Sequence, residues 1–137
     1  MHSILIDTGF WYALYTQRDQ YHEKACEYSH YIEDAYILFP YPSLYEVLNT
    51  RFVKNKSSLS ALNEIINSNR VNCIDDTPYR NNALEVTLKP KNNKSFVDNI
   101  IRLMLDDKTL KINGFITFNS VDFKDVCIYH NIEMLSD

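Results

Sequence analysis

The sequence predicts an α/β fold, a central parallel sheet of short strands flanked by helices on both faces. Short apolar runs such as Ile4-Leu5-Ile6 and Phe115-Ile116 alternate with segments whose apolar residues recur at helical spacing. Alternation of this kind requires crossover connections, which make the strands parallel and cover the sheet on both sides. Polar or acidic residues also close the apolar runs repeatedly, as Asp7 and Asn119 do. An open parallel sheet places its ligand crevice at those strand ends.

Taken in order, residues 3–6 form the first strand and 9–16 the first helix. A second helix is expected over 22–33, with Asp19 or Gln20 near its start. Strand 36–39 is stopped by Pro40 and Pro42. From Ser43 onward Leu44, Val47, Leu48 and Phe52 fall at the spacing of one helical face. Leu59, Leu62, Ile65 and Ile66 mark the next helix, and 71–74 a third strand. Thr77 before Pro78 signals a helix start, because the first helical position has no intrahelical use for the N–H that proline lacks. Phe96, Ile100, Leu103 and Met104 define a further apolar face. Strand 115–118, helix 122–129 and strand 132–135 complete the chain. No repeat, linker or low-complexity tract interrupts it, so residues 1–137 are expected to form one domain around one core.

Bulk properties narrow the functional classes. No stretch approaches the roughly 20 apolar residues of a membrane span, and Met1-His2-Ser3 enters the first strand without the regions of a signal peptide. Cys26, Cys73 and Cys127 are isolated and odd in number, which disfavours a disulfide framework or zinc site and points to a reducing cytoplasm. A net charge of -4 argues against a general nucleic-acid binder. Its distribution is uneven, however. Arg51, Lys54 and Lys56 form one basic cluster after Glu46, and Lys89, Lys91 and Lys94 another before Asp98. They are either solvated loops or flanks that hold a polyanionic backbone over an acidic crevice.

The acids at structural junctions carry the chemistry. Asp7 ends the first apolar run, Glu46 follows Ser43, Asp98 follows Ser95, and Asn119 and Asp122 follow the fourth strand. Ser43-x-x-Glu46, Ser95-x-x-Asp98 and Asn119-x-x-Asp122 all resemble capping boxes, and a cap alone is worth about 0.5–2 kcal/mol. Convergence on one crevice is the other reading. Carboxylates ~4 Å apart repel by about 4 kcal/mol at an effective dielectric of 20. A fold that gathers them needs protonation or a hard divalent cation with oxygen ligands. Asp7 resists the capping reading, having only Thr8-Gly9 to cap.

Other constellations are missing. Two glycines leave no room for a Gly-rich phosphate loop, and no nucleophile elbow supports Ser-His-Asp catalysis. Asp19 reads as a cap and His22 as an exposed helical residue. His30 and His130 have no ligand spacing. Asp75-Asp76 reads as a solvated turn and Asp106-Asp107 as a helix end. Ten tyrosines and seven phenylalanines belong mostly to core or partner surfaces, with base-stacking positions among the alternatives.

Four segments together resemble the PIN-domain ribonucleases, above all the small VapC-type toxins of bacterial toxin–antitoxin pairs. They are Ile4-Leu5-Ile6-Asp7-Thr8-Gly9-Phe10-Trp11 with Asp19-x-x-His22-Glu23; Ser43-Leu44-x-Glu46-Val47-Leu48-Asn49; Ser95-Phe96-Val97-Asp98; and Phe115-Ile116-Thr117-x-Asn119-x-x-Asp122. The resemblance covers essentially the whole length and implies a PIN-like fold. It implies Asp7, Glu46 and Asp98 as catalytic acids that bind Mg²⁺ or Mn²⁺, and Thr8 and Thr117 as hydroxyls orienting them. Where the family often has a fourth acid, this chain has Asn119, an amide ligand without charge; Asp122 would supply the missing carboxylate directly or through water.

The implied activity is metal-assisted endoribonuclease hydrolysis of RNA phosphodiesters. Arg51, Lys54, Lys89, Lys91 and Lys94 are the candidates for backbone contacts. By the same resemblance a cognate antitoxin protein and a homodimer are expected, with no membrane association. Two rival readings are a housekeeping RNA-processing nuclease and a catalytically weak binding module, the latter motivated by Asn119 and the net acidity.

Overall fold

The computed structural model describes residues 2–137. Five parallel strands run in the order β3-β2-β1-β4-β5. They are β1 Ser3–Ile6, β2 Tyr36–Pro40, β3 Val71–Ile74, β4 Gly114–Thr117 and β5 Glu133–Ser136. The helices are α1 Thr8–Tyr15, α2 His22–Ser29, α3 Tyr41–Val47, α4 Thr50–Lys54, α5 Lys56–Ile66, α6 Thr77–Thr87, α7 Phe96–Asp106 and α8 Lys124–Tyr129. Among them no helix is long and apolar enough to cross a membrane.

Alternation along each strand divides the core into two layers, because successive side chains leave a strand on opposite faces. Ile4 and Ile6 of β1, Ile37 and Phe39 of β2 and Ile116 of β4 join one cluster with Phe10, Trp11, Ala25 and Leu62. Leu5, Leu38 and Phe115 join the other with Ala83, Ile100, Ile101, Met104 and Val126. Helices therefore cover both faces, as a parallel sheet requires. The chain builds β1, β2 and β3 outward in one direction, then returns to lay β4 on the far side of β1. That reversal sits between the carboxyl ends of β1 and β4, where a doubly wound sheet opens a crevice.

Several boundaries depart from the sequence expectations, each for a local reason. The helix expected from Ser43 through Phe52 is two helices. α3 starts at Tyr41 with Pro42 in its first turn, a position that tolerates proline. It ends at Leu48, and the Asn49 side chain accepts the Phe52 N–H to open α4. Ser43 is consequently no cap: it is buried inside α3 with its hydroxyl lacking a partner, and Glu46 lies in the last turn rather than the first. α2 stops at Ser29, where the next bonds tighten to His30 N–H on Glu27 and Tyr31 N–H on Tyr28. The last helix begins at Lys124, after a 3₁₀ turn at Ser120–Asp122; buried Phe123, edge-on to Phe115 at 5.0 Å, separates the two. Asp76 is not a solvated turn residue. It is buried and paired with Arg80 at 3.2 Å.

Candidate active site

Asp7 leaves the end of β1 buried and caps α1, its Oδ1 accepting the Thr8 N–H at 2.8 Å. Its Oδ2 accepts the Thr117 hydroxyl at 2.8 Å, and that hydroxyl oxygen in turn accepts the Asn119 N–H at 3.0 Å. The ends of β1 and β4 are thus tied together through one carboxylate. Thr8 also donates its hydroxyl to Glu46 Oε1 at 2.8 Å, which draws α3 toward the same point. Asp98 arrives from α7, where the Ser95 hydroxyl caps the helix by accepting the Asp98 N–H at 3.0 Å. Here the capping and site readings coincide, since the cap fixes the turn that carries the acid.

These acids line one crevice of about 400 Å³, together with Thr8, Tyr12, Tyr21, Phe118 and Asn119. No lysine or arginine lines it, and none of the three acids forms an ion pair among the described residues. Burial pushes Asp7 up from 3.8 to about 6; hydrogen bonds from Thr117 and Thr8 oppose the rise, and the charges of Asp98 and Glu46 add to it. Asp98 is likewise raised, first by burial, against its bond with Ser95, then by repulsion from Asp122 and Glu46. Lys94 lowers it slightly. The crevice therefore gathers negative charge that no lysine or arginine of its lining offsets.

That donor set fits a hard cation in chemistry, being all oxygen and all acidic. As the side chains lie, however, no three His, Cys, Asp or Glu groups among the described residues stand close enough together to hold a metal ion. The fit is to an ion such as Mg²⁺ that retains several waters and takes only one or two carboxylates directly.

The remaining candidates divide. Asn119 lines the crevice, but its Nδ2 donates to Asp122 Oδ2 at 2.7 Å. Asp122 does not line the crevice; it stands behind Asn119 with its carbonyl accepting Arg102 at 2.7 Å. Arg51 and Lys54 are exposed on α4, and Lys89, Lys91 and Lys94 lie between α6 and α7. None of these five lines the crevice. Sequence reading missed Tyr12 and Asn49. The Tyr12 hydroxyl donates to the Glu46 carbonyl, and Asn49 Nδ2 donates to both the Tyr12 oxygen (2.8 Å) and the same carbonyl (3.0 Å). The only trace of this in the sequence is Asn49 at capping distance from Phe52.

A second cavity of about 240 Å³ opens at the opposite ends of β1 and β4, beside His2, Asn113 and Gly114. It shares no lining residue with the crevice of Asp7, Glu46 and Asp98, and apart from His2, Asp34, Asn113 and Glu133 its lining is mainly apolar.

Comparison with known proteins places the fold. VapC20 of Mycobacterium tuberculosis, a sarcin-ricin loop cleaving toxin, matches with a TM-score of 0.64 at 20% identity, over 82% of this chain and 86% of that one. VapBC2 from Rickettsia felis, bound to a DNA fragment from their promoter, matches with a TM-score of 0.50 at 16% identity over 98% of each chain. The likeness is one of fold. No protein-family model and no curated protein matches the sequence.

Proposed function

We propose that the chain is a Mg²⁺- or Mn²⁺-dependent endoribonuclease, the toxin of a VapBC-type pair. One observation carries this reading: Asp7, Glu46 and Asp98, distant in sequence, line a single crevice that no lysine or arginine lines. The fold shared with a toxin that cleaves the sarcin-ricin loop supports RNA as the substrate class. The likeness to VapBC2 supports a cognate antitoxin as partner. A homodimer and a cytoplasmic setting belong to the same proposal.

Asp7, Glu46 and Asp98 would hold the hydrated cation, one or two of them directly and the rest through its waters, with the Asn119 carbonyl oxygen as a further neutral donor. Bound there, the ion supplies Lewis acidity toward a phosphate oxygen and lowers the pKa of an attacking water. The chain's own groups do the positioning. Thr117 and Thr8 fix the rotamers of Asp7 and Glu46 through their hydroxyls. Tyr12 and Asn49 fix the backbone at Glu46. Asp98, set on the first turn of α7 beside the Ser95 hydroxyl, brings the third carboxylate to the crevice. Arg51, Lys54, Lys89, Lys91 and Lys94 would steer the polyanion from outside the crevice.

A second reading, a catalytically weak binding module, is favoured by the spacing of the acids. Purified chain incubated with single-stranded RNA separates the two. We expect cleavage that needs Mg²⁺ or Mn²⁺, is lost with EDTA, and falls at least a hundredfold in Asp98→Asn with the circular dichroism unchanged. Equal cleavage by wild type and Asp98→Asn would refute the nuclease; RNA binding without turnover would favour the module.

A further inference from the structure

The crevice has a second wall that the acids do not explain. Tyr21 and Phe118 line it, stacked on each other with centroids 4.7 Å apart and planes 17° apart. Tyr28 continues the parallel arrangement, 6.1 Å and 21° from Phe118, but does not line the crevice. The aromatic series therefore runs from the protein body into the crevice lining, which Phe118 and half-buried Tyr21 both reach. The Tyr21 hydroxyl makes no hydrogen bond among the described residues, unlike that of Tyr28, which donates to the Ser136 carbonyl at 2.8 Å.

Tyr21 is also held firmly for a residue in a connection. Its N–H donates to Asp19 Oδ1 at 2.8 Å. The Asp19 N–H bonds the Thr16 carbonyl, and the His22 N–H bonds the Asp19 carbonyl, each at 3.0 Å. The half-buried His22 ring, not exposed as its sequence position suggested, places Nδ1 2.7 Å from the Ala13 carbonyl. Asp19-x-x-His22 thus pins the loop to α1 and fixes the position of the ring between them. Beside it, exposed Gln20 offers an amide donor and acceptor to the same crevice.

We propose that Tyr21, backed by Phe118, is the stacking platform for one unpaired nucleobase next to the phosphate held over the acids. The inference rests on the nuclease reading and deepens it, naming a base-binding position within that crevice. Phosphate cannot occupy this wall, since Asp7, Glu46 and Asp98 in the crevice and Asp19 beside Tyr21 repel it unless a cation intervenes. A nucleobase is neutral and planar and presents a π-face, so it enters an acidic crevice without that penalty. Every base has such a face, which makes stacking tolerant of sequence. A base paired within a helix is already stacked and its edges are covered, so only a splayed-out base reaches the ring. The crevice volume of about 400 Å³ lies within the roughly 300–1,000 Å³ of ordinary ligand sites.

The test measures binding of labelled oligonucleotides to the full chain carrying Asp98→Asn, in Mg²⁺, by fluorescence anisotropy. Three probes are used: a single-stranded oligoribonucleotide, its abasic analogue, and the duplex. In that background Tyr21→Ala should weaken the single strand about tenfold, the size of one base–aromatic stack. Tyr21→Leu, which retains apolar packing on Phe118, should do the same, and Tyr21→Phe should change affinity less than twofold. The abasic analogue should bind all four chains equally. Unchanged affinity in Tyr21→Ala and Tyr21→Leu would overturn the proposal. So would equal losses for normal and abasic strands, the pattern of a ring that packs structure or receives a partner's guanidinium. Wild-type cleavage, measured separately, reports on the nuclease reading alone: base-dependent binding without turnover would leave the platform standing and the catalysis refuted.

Discussion

Asp7 shows how a single carboxylate couples the site to pH. Its acidity is weakened, mainly by burial, from 3.8 to about 6. Between about pH 4 and 6 the folded chain keeps a proton that the unfolded chain has released. Stability is thus highest below the unfolded value and falls as pH rises through the folded one, by about 3 kcal/mol for this shift. We expect cation-free wild type to lose about that much more stability than Asp7→Asn between pH 4 and 7, measured by denaturant unfolding. Parallel pH profiles would contradict it. Adding Mg²⁺ at pH 7 should stabilise wild type and leave Asp7→Asn unmoved, because only binding to the folded chain shifts the equilibrium. Residue placement was largely legible in advance: Asp7, Thr8, Glu46, Asp98 and Asn119 do share one crevice. Asp122 does not, because its carboxylate is taken by the neighbouring amide, a pairing that order along the chain does not reveal.

Helix ends decide where the acids point. Asn49 performs two tasks at the α3–α4 break, capping Phe52 with its oxygen and holding the Glu46 carbonyl with its amide. Asn49→Ala should cost about 1 kcal/mol through the lost cap. Asn49→Asp keeps the accepting oxygen while removing the amide donor. We therefore expect Asn49→Asp to retain most of the stability, read by thermal unfolding, yet to reduce RNA cleavage as far as Asn49→Ala does. Activity equal to wild type in Asn49→Asp would separate Glu46 from this support. Strands were easier to read than this junction. All five occur within a residue of their expected limits, since apolar runs mark buried parallel strands clearly. The break at Leu48 was concealed because Leu44, Val47, Leu48 and Phe52 keep helical spacing across it, so periodicity alone joins two helices into one.

For the molecule as a whole, topology does what no segment could do alone. Reversal of strand order around β1 brings residues 7 and 119 side by side, and α3 and α7 deliver Glu46 and Asp98 from either side of the chain's midpoint. The alternation of strands and helices foretold the parallel sheet, but strand order comes from long-range pairing that no local pattern encodes. Charge is segregated on the same scale, with acids in the crevice and basic clusters outside it. If Lys89, Lys91 and Lys94 each neutralise a phosphate, replacing all three with Gln should flatten the slope of log affinity against log salt by about 2. An unchanged slope would leave them as ordinary solvated lysines. Trp11, the one tryptophan of the chain, lies stacked flat on Phe39 at 5.0 Å, wholly enclosed and with its indole nitrogen unpartnered. Its emission should be strongly blue-shifted while the sheet and α1 remain docked, and should move red when they part. The protein thus contains its own optical gauge of integrity, four residues along from Asp7, that needs no label to tell an inactive variant from an unfolded one.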